Sequence, residues 1–145
     1  MKASQMTRSI AVAIVMLLPI TVNAAEFDGS APLLCSIIDV VECSPGGECL
    51  RSDASGVNLP YFVKIDLSDQ VIRVPQGHGD SRTTPIREVT HLDGKLILQG
   101  AEEASETEQD AVGWTMSIDE DDGRMIFSAS RDQVGFVIFG ACTKP

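Results

Sequence analysis

The residues best suited to covalent or metal chemistry in this chain are its four cysteines, Cys35, Cys43, Cys49 and Cys142. Zinc knuckles and thioredoxin-like redox centres need cysteines two residues apart or histidine close by, and the Cys43 to Cys49 spacing supplies neither. Structural disulfides are the remaining use, and four cysteines allow three pairings. Cys43 and Cys49 flank Ser44-Pro45-Gly46-Gly47-Glu48, a turn-forming run that brings its ends together. The spacing therefore favours Cys43 with Cys49 and Cys35 with Cys142. Loop-closure entropy assigns about 4 to 5 kcal/mol to the long bridge and about 2 kcal/mol to the short one.

Acid–base chemistry has few candidates. The two histidines are His78 and His91, and His78 stands in Gly77-His78-Gly79-Asp80, where Asp80 could orient an imidazole for a small hydrolase. No Gly-x-Ser-x-Gly elbow and no cysteine nucleophile accompanies them, so both read as surface histidines and no catalytic residue is assigned. Acidic residues are more concentrated. The span 101 to 122 holds Glu102, Glu103, Glu106, Glu108, Asp110, Asp119, Glu120, Asp121 and Asp122 with no base. If the two connections that carry them emerge at one end of the fold, they form a single negative rim for a basic partner protein. The run Asp119-Glu120-Asp121-Asp122-Gly123 lacks the alternating ligand spacing of a calcium loop, so no metal and no cofactor is expected. Trp114 and Met116 share a strand face that could line a ligand cavity, although an interior filled by its own side chains is the simpler expectation.

The compartment follows from the N-terminus and the charge. Lys2 and Arg8 precede an apolar run from Ile10 to Ile20, and Thr21-Val22-Asn23-Ala24-Ala25 has the small-residue pattern of signal-peptidase cleavage, so residues 1–24 read as a signal peptide and 25–145 as one exported domain. Cleavage removes two bases and no acid, which leaves 11 − 2 = 9 Lys and Arg against 21 Asp and Glu. A chain of that sign repels phosphate backbones and anionic lipid heads, which argues against nucleic-acid binding and membrane insertion.

These residues must be carried by short strands. Past the leader, runs rich in Val, Ile, Leu and aromatics alternate with Gly, Asp, Asn and Pro about every ten residues, the signature of an all-β sandwich or barrel. In Val112–Asp119 the residues Val112, Trp114, Met116 and Ile118 fall on one face, the period of a half-buried strand. Tyr61, Val63, Ile65 and Leu67 do the same against Phe62, Lys64 and Asp66. Asp93-Gly94 between two such runs is a strong hairpin signal, and Asp122-Gly123 repeats it. Nine runs emerge, at 33–42, 48–52, 61–67, 70–74, 86–91, 95–100, 112–119, 124–129 and 133–141, with 75–85 and 101–111 read as loops. The mixed pattern of Leu33 to Val41 also admits a short helix. The expected fold is an antiparallel meander of about eight to nine strands that closes into an up-and-down barrel, with Cys35–Cys142 clipping its first strand to its last.

The leader, Leu33-Leu34-Cys35, the Glu42-Cys43 to Glu48-Cys49 hairpin, Asp93 to Gly100 and the closing Gly135 to Cys142 resemble uncharacterised small exported four-cysteine β proteins of proteobacteria. That resemblance implies an exported β domain and no particular function. In shape alone the expected barrel is similar to lipocalin-like domains and to bacterial periplasmic lysozyme inhibitors, whose serine- and glycine-rich inhibitory loop is not visible here. The expected role is a non-enzymatic periplasmic or secreted binding domain. An acidic inhibitor of a basic envelope enzyme is the second reading, and a hydrolase using His78 and Asp80 is the third.

Overall fold

The structure, a computed structural model, describes residues 26–75, 82–104 and 110–145; the leader, His78 and Asp80, and Glu106 and Glu108 lie outside them. The described chain is all-β. Its strands are β1 (Leu33–Cys43), β2 (Cys49–Ser52), β3 (Phe62–Asp66), β4 (Val71–Arg73), β5 (Thr83–Pro85), β6 (Glu88–Leu92), β7 (Lys95–Glu102), β8 (Val112–Asp119), β9 (Arg124–Arg131) and β10 (Val134–Thr143), with a 3-10 turn at Ser55–Val57. All pairings are antiparallel, in the order β5-β4-β3-β1-β10-β9-β8-β7-β6. The sheet curls into a half-barrel.

The nine runs expected from the sequence are all strands here, within a few residues at their ends. Asp93 and Gly94 take φ of 49° and 73°, the left-handed geometry of the tight hairpin that their types foretell. Trp114, Met116 and Ile118 are buried along β8. The ambiguous first run is a strand with a bulge: the register to β10 slips between Ile37 and Asp39. Leu33 and Cys35 are buried before the slip and Val40 after it, while Ile38 is exposed, so the inward parity changes within one strand and the periodicity is lost. The bulge also divides the free edge of β1. Its first half pairs with β3 and its second half with β2.

Two expectations need correction. Residues 83–85 are not loop: Thr83, Thr84 and Pro85 pair with Arg73, Ile72 and Val71, a strand too short to show alternation. Tyr61 is exposed rather than on the core face, and β3 starts one residue later. β5 and β6 run in the same direction, two residues apart, and stitch the edges of the sheet together. The Ile86 N–H donates to Gln70 on the β4 side and the Arg87 N–H donates to Gln99 on the β7 side.

Both expected disulfides are present, Cys35–Cys142 and Cys43–Cys49, and each joins residues directly opposite in register. Cys35–Cys142 lies in the core across the first and last strands, whereas Cys43–Cys49 closes the exposed β1–β2 hairpin. Two disulfides are consistent with an oxidising compartment. Among the described residues no helix is long and apolar enough to cross a membrane.

Strand direction gives the half-barrel two unlike ends. One carries the 67–70, 93–94 and 120–123 turns, the start of β1 and the end of β10. There Phe27 folds in as a plug: it is buried, and its N–H donates to the Glu120 carbonyl at 2.9 Å. Gly123, with φ of 72°, makes room for it, since a Cβ there would lie 2.9 Å from the Phe27 ring and 2.6 Å from the Cys142 carbonyl oxygen. The other end holds the start of β8, the ends of β7 and β9, and the β1–β2 hairpin.

Candidate functional site

At this second end the concave face is not filled. Two adjoining cavities of about 240 Å³ and about 130 Å³ share Leu59, Arg82, Glu102, Phe127 and Ile138 as walls. Inward parity explains the lining. On β9, Met125, Phe127, Ala129 and Arg131 follow one another on the inner face, and on β8 Val112, Trp114 and Met116 do so. Ala129 is small and Trp114 lies flat beside Phe127, ring centroids 5.7 Å apart, which leaves the space above them open. Gly100 lets the indole settle: a Cβ on it would fall 2.3 Å from the ring. The segment Val57–Pro60 forms the opposite wall, tied down by the Arg82 guanidinium donating to the Asn58 carbonyl at 2.9 Å. The interior is thus not filled by its own side chains at this end, contrary to the simpler expectation. Trp114 and Met116 both line the opening, as their shared face allows.

The groove is apolar in its walls and unusual in its polar groups. Among the described residues Arg73, Arg82 and Arg131 line it together with the carboxylate of Glu102, whose oxygen accepts from the Thr84 hydroxyl. Arg131 lies over the Phe136 ring, 5.7 Å from its centroid. Arg73 pairs with Asp69 at 2.6 Å, but its Nε–H is buried without an acceptor. The Trp114 Nε1–H is likewise buried and unpartnered, on a side chain only 5% exposed. An orphaned buried donor costs roughly 1 to 3 kcal/mol, and these two belong to residues that line different cavities, Arg73 the smaller and Trp114 the larger.

The acidic residues do not form one rim. β7 and β8 pair Lys95 with Asp119 and Glu102 with Val112, so Glu102, Glu103 and Asp110 stand at the open end and Asp119 to Asp122 at the plugged end. Successive turns of an antiparallel meander necessarily alternate ends, which is why a run continuous in sequence is divided in space. The acids of the plugged end are also engaged locally. Asp119 accepts from Lys95 Nζ at 2.7 Å and from the Asp121 and Asp122 N–H groups; the lysine bond foremost holds its carboxyl down at about 2. Glu120 is buried with Oε1 2.6 Å from His91 Nδ1, and Asp122 accepts from Arg124 Nε at 2.6 Å. For Asp121 no side-chain hydrogen bond or ion pair is present among the described residues.

Family models, curated proteins and solved structures offer no match to this chain. The functional reading therefore rests on geometry. Sequence reasoning missed Arg73, Arg82 and Arg131, which come from three separate places in the chain. A signal was present for two of the polar walls: Arg131 continues the parity of Met125 and Phe127, and Glu102 that of Leu96 and Leu98. A charge on a core parity at a strand end marks a site that faces inward yet reaches solvent.

Proposed function

We propose that this protein is an exported, non-enzymatic binding domain that takes a small molecule into the open end of its half-barrel. The observation that carries the reading is the unfilled groove itself, walled by Val112, Trp114, Phe127, Ala129 and Ile138 with a few polar groups among them. The volume is sufficient, since an apolar cavity of about 150 Å³ holds a benzene. The paired disulfides and the apolar leader support export. A basic partner protein is the weaker reading, because it would meet two acidic patches at opposite ends.

Trp114 is the only tryptophan, so its emission reports on the groove directly. The mature, oxidised protein is titrated with neutral N-phenyl-1-naphthylamine and with anionic 1-anilinonaphthalene-8-sulfonate, following quenching of Trp114 and probe enhancement. At least one is expected to bind with energy transfer from Trp114, and Ala129→Leu, which fills the larger cavity, is expected to abolish it while the far-ultraviolet circular dichroism stays unchanged. Binding of neither probe, or binding indifferent to Ala129→Leu, sinks the reading.

A further inference from the structure

Independently of the groove, we infer that Cys43–Cys49 is a thiol–disulfide exchange site that a dithiol reductant opens while Cys35–Cys142 stays closed, and that its opening releases β2 from the sheet. The two bridges share one local arrangement, each joining residues directly opposite in an antiparallel register, and differ in what surrounds them. Cys35 and Cys142 are 0% and 7% exposed and belong to the core cluster. Cys49 is exposed and Cys43 half-buried, and the turn between them, Ser44 to Glu48, is exposed throughout. An attacking thiolate must reach a sulfur in line with the bond it breaks. The hairpin bridge is therefore open to attack in the folded protein, and the core bridge only after the fold itself opens.

Exchange is a transfer in two steps. One thiolate of the dithiol bonds to the sulfur of Cys49, the more exposed of the pair, and Cys43 leaves as a thiolate that takes up a proton. The second thiol of the reductant then displaces Cys49, so the reductant ends as a disulfide, two electrons and two protons poorer, and the protein gains two thiols. The site accepts electrons and is not a thioredoxin-like donor, whose two-residue spacing it lacks. Little besides the bridge holds β2 in place. From Ser44 to Asp53 no side chain is buried, and Leu50 is 72% exposed. Among the described strands β2 pairs with β1 alone, and the Arg51–Asp39 contact at 2.9 Å crosses exposed surface, where an ion pair contributes little. A two-stranded ribbon without a buried face is marginal once its covalent tie is gone. The next buried residue is Ala54, whose carbonyl accepts from the Leu59 N–H, so release stops there and leaves the wall of the groove anchored. β1 keeps its pairing with β10, and Cys35–Cys142 keeps those two strands tied.

The mature, oxidised protein is exposed to dithiothreitol at about pH 8 without denaturant, alkylated at intervals and mapped by mass spectrometry. Cys43 and Cys49 are expected to be labelled at least about a hundredfold faster than Cys35 and Cys142, giving a two-thiol species that keeps its far-ultraviolet circular dichroism. In urea that unfolds the chain the rates should draw within about tenfold of each other, because the fold and not the local sequence sets the difference. Hydrogen exchange of the two-thiol species should show the amides of β2 at least about tenfold faster than in the oxidised protein, with those of β10 unchanged. Labelling of all four cysteines together, a Cys43–Cys49 bridge that resists dithiothreitol, or a rate difference that survives in urea overturns the exchange site. A two-thiol species whose β2 amides exchange as before overturns the release of β2.

Discussion

The two ends of the half-barrel solve opposite problems. At the plugged end Phe27 fills the mouth, Gly123 yields the space, and three of the four acids from Asp119 to Asp122 have a basic partner. At the open end Ala129 leaves a cavity, the buried Trp114 N–H has no acceptor, and Arg82, Arg131 and Glu102 stand in the cavity wall. Stability is concentrated where groups are satisfied, and a site is left where they are not. The two disulfides divide along the same line. Cys35–Cys142 lies in the core between the first strand and the last, and Cys43–Cys49 closes a hairpin at the open end.

The largest effect should come from the disulfides. Replacing Cys35 and Cys142 together by alanine removes a bridge spanning 107 residues and should cost about 4 to 5 kcal/mol in urea unfolding, enough to unfold a marginal domain. The Cys43 and Cys49 pair, six residues apart, should cost about 2 kcal/mol. Equal losses from the two pairs would break the division between a core clasp and a hairpin clasp.

Next in size is a contrast of two fillings. Phe27→Ala empties the plugged end and should cost about 3 kcal/mol, as buried aromatic truncations do. Ala129→Leu adds volume at the open end, where there is room, and should leave stability within about 1 kcal/mol or raise it while ending probe binding. A large destabilisation by Ala129→Leu would mean that the cavity closes in solution, and the comparison between the ends would fail.

Much of this division was hidden from the sequence, for definite reasons. Strand positions and the Asp93-Gly94 hairpin were legible because alternation and turn chemistry are local. The pairing of the cysteines was legible because a Pro-Gly turn constrains one pair and leaves the other. β5 was not, since three residues including Pro85 carry no period and owe their strand geometry to neighbouring β4. The His91–Glu120 contact joins residues 29 apart, and the arginines of the groove meet only through topology. The acidic run misled for the converse reason: proximity in sequence across a hairpin strand means separation by its full length.

The smallest effect probes the plugged end by pH. The bond from Lys95 holds the Asp119 carboxyl down at about 2, from an ordinary value of 3.8, with the Asp121 N–H adding to it. A group whose folded pKa is depressed contributes stability above its unfolded pKa, and that contribution disappears as pH falls through the folded value. The stability gap between wild type and Asp119→Asn, measured by urea melts, should therefore be constant above about pH 5, begin to narrow near pH 4 and close as pH falls through about 2. Exposure keeps the gap small, so the direction and its window are the test. A gap that persisted undiminished at pH 2 would place the value of Asp119 in its turn geometry rather than its charge, and the electrostatic half of the contrast between the ends would have to be given up.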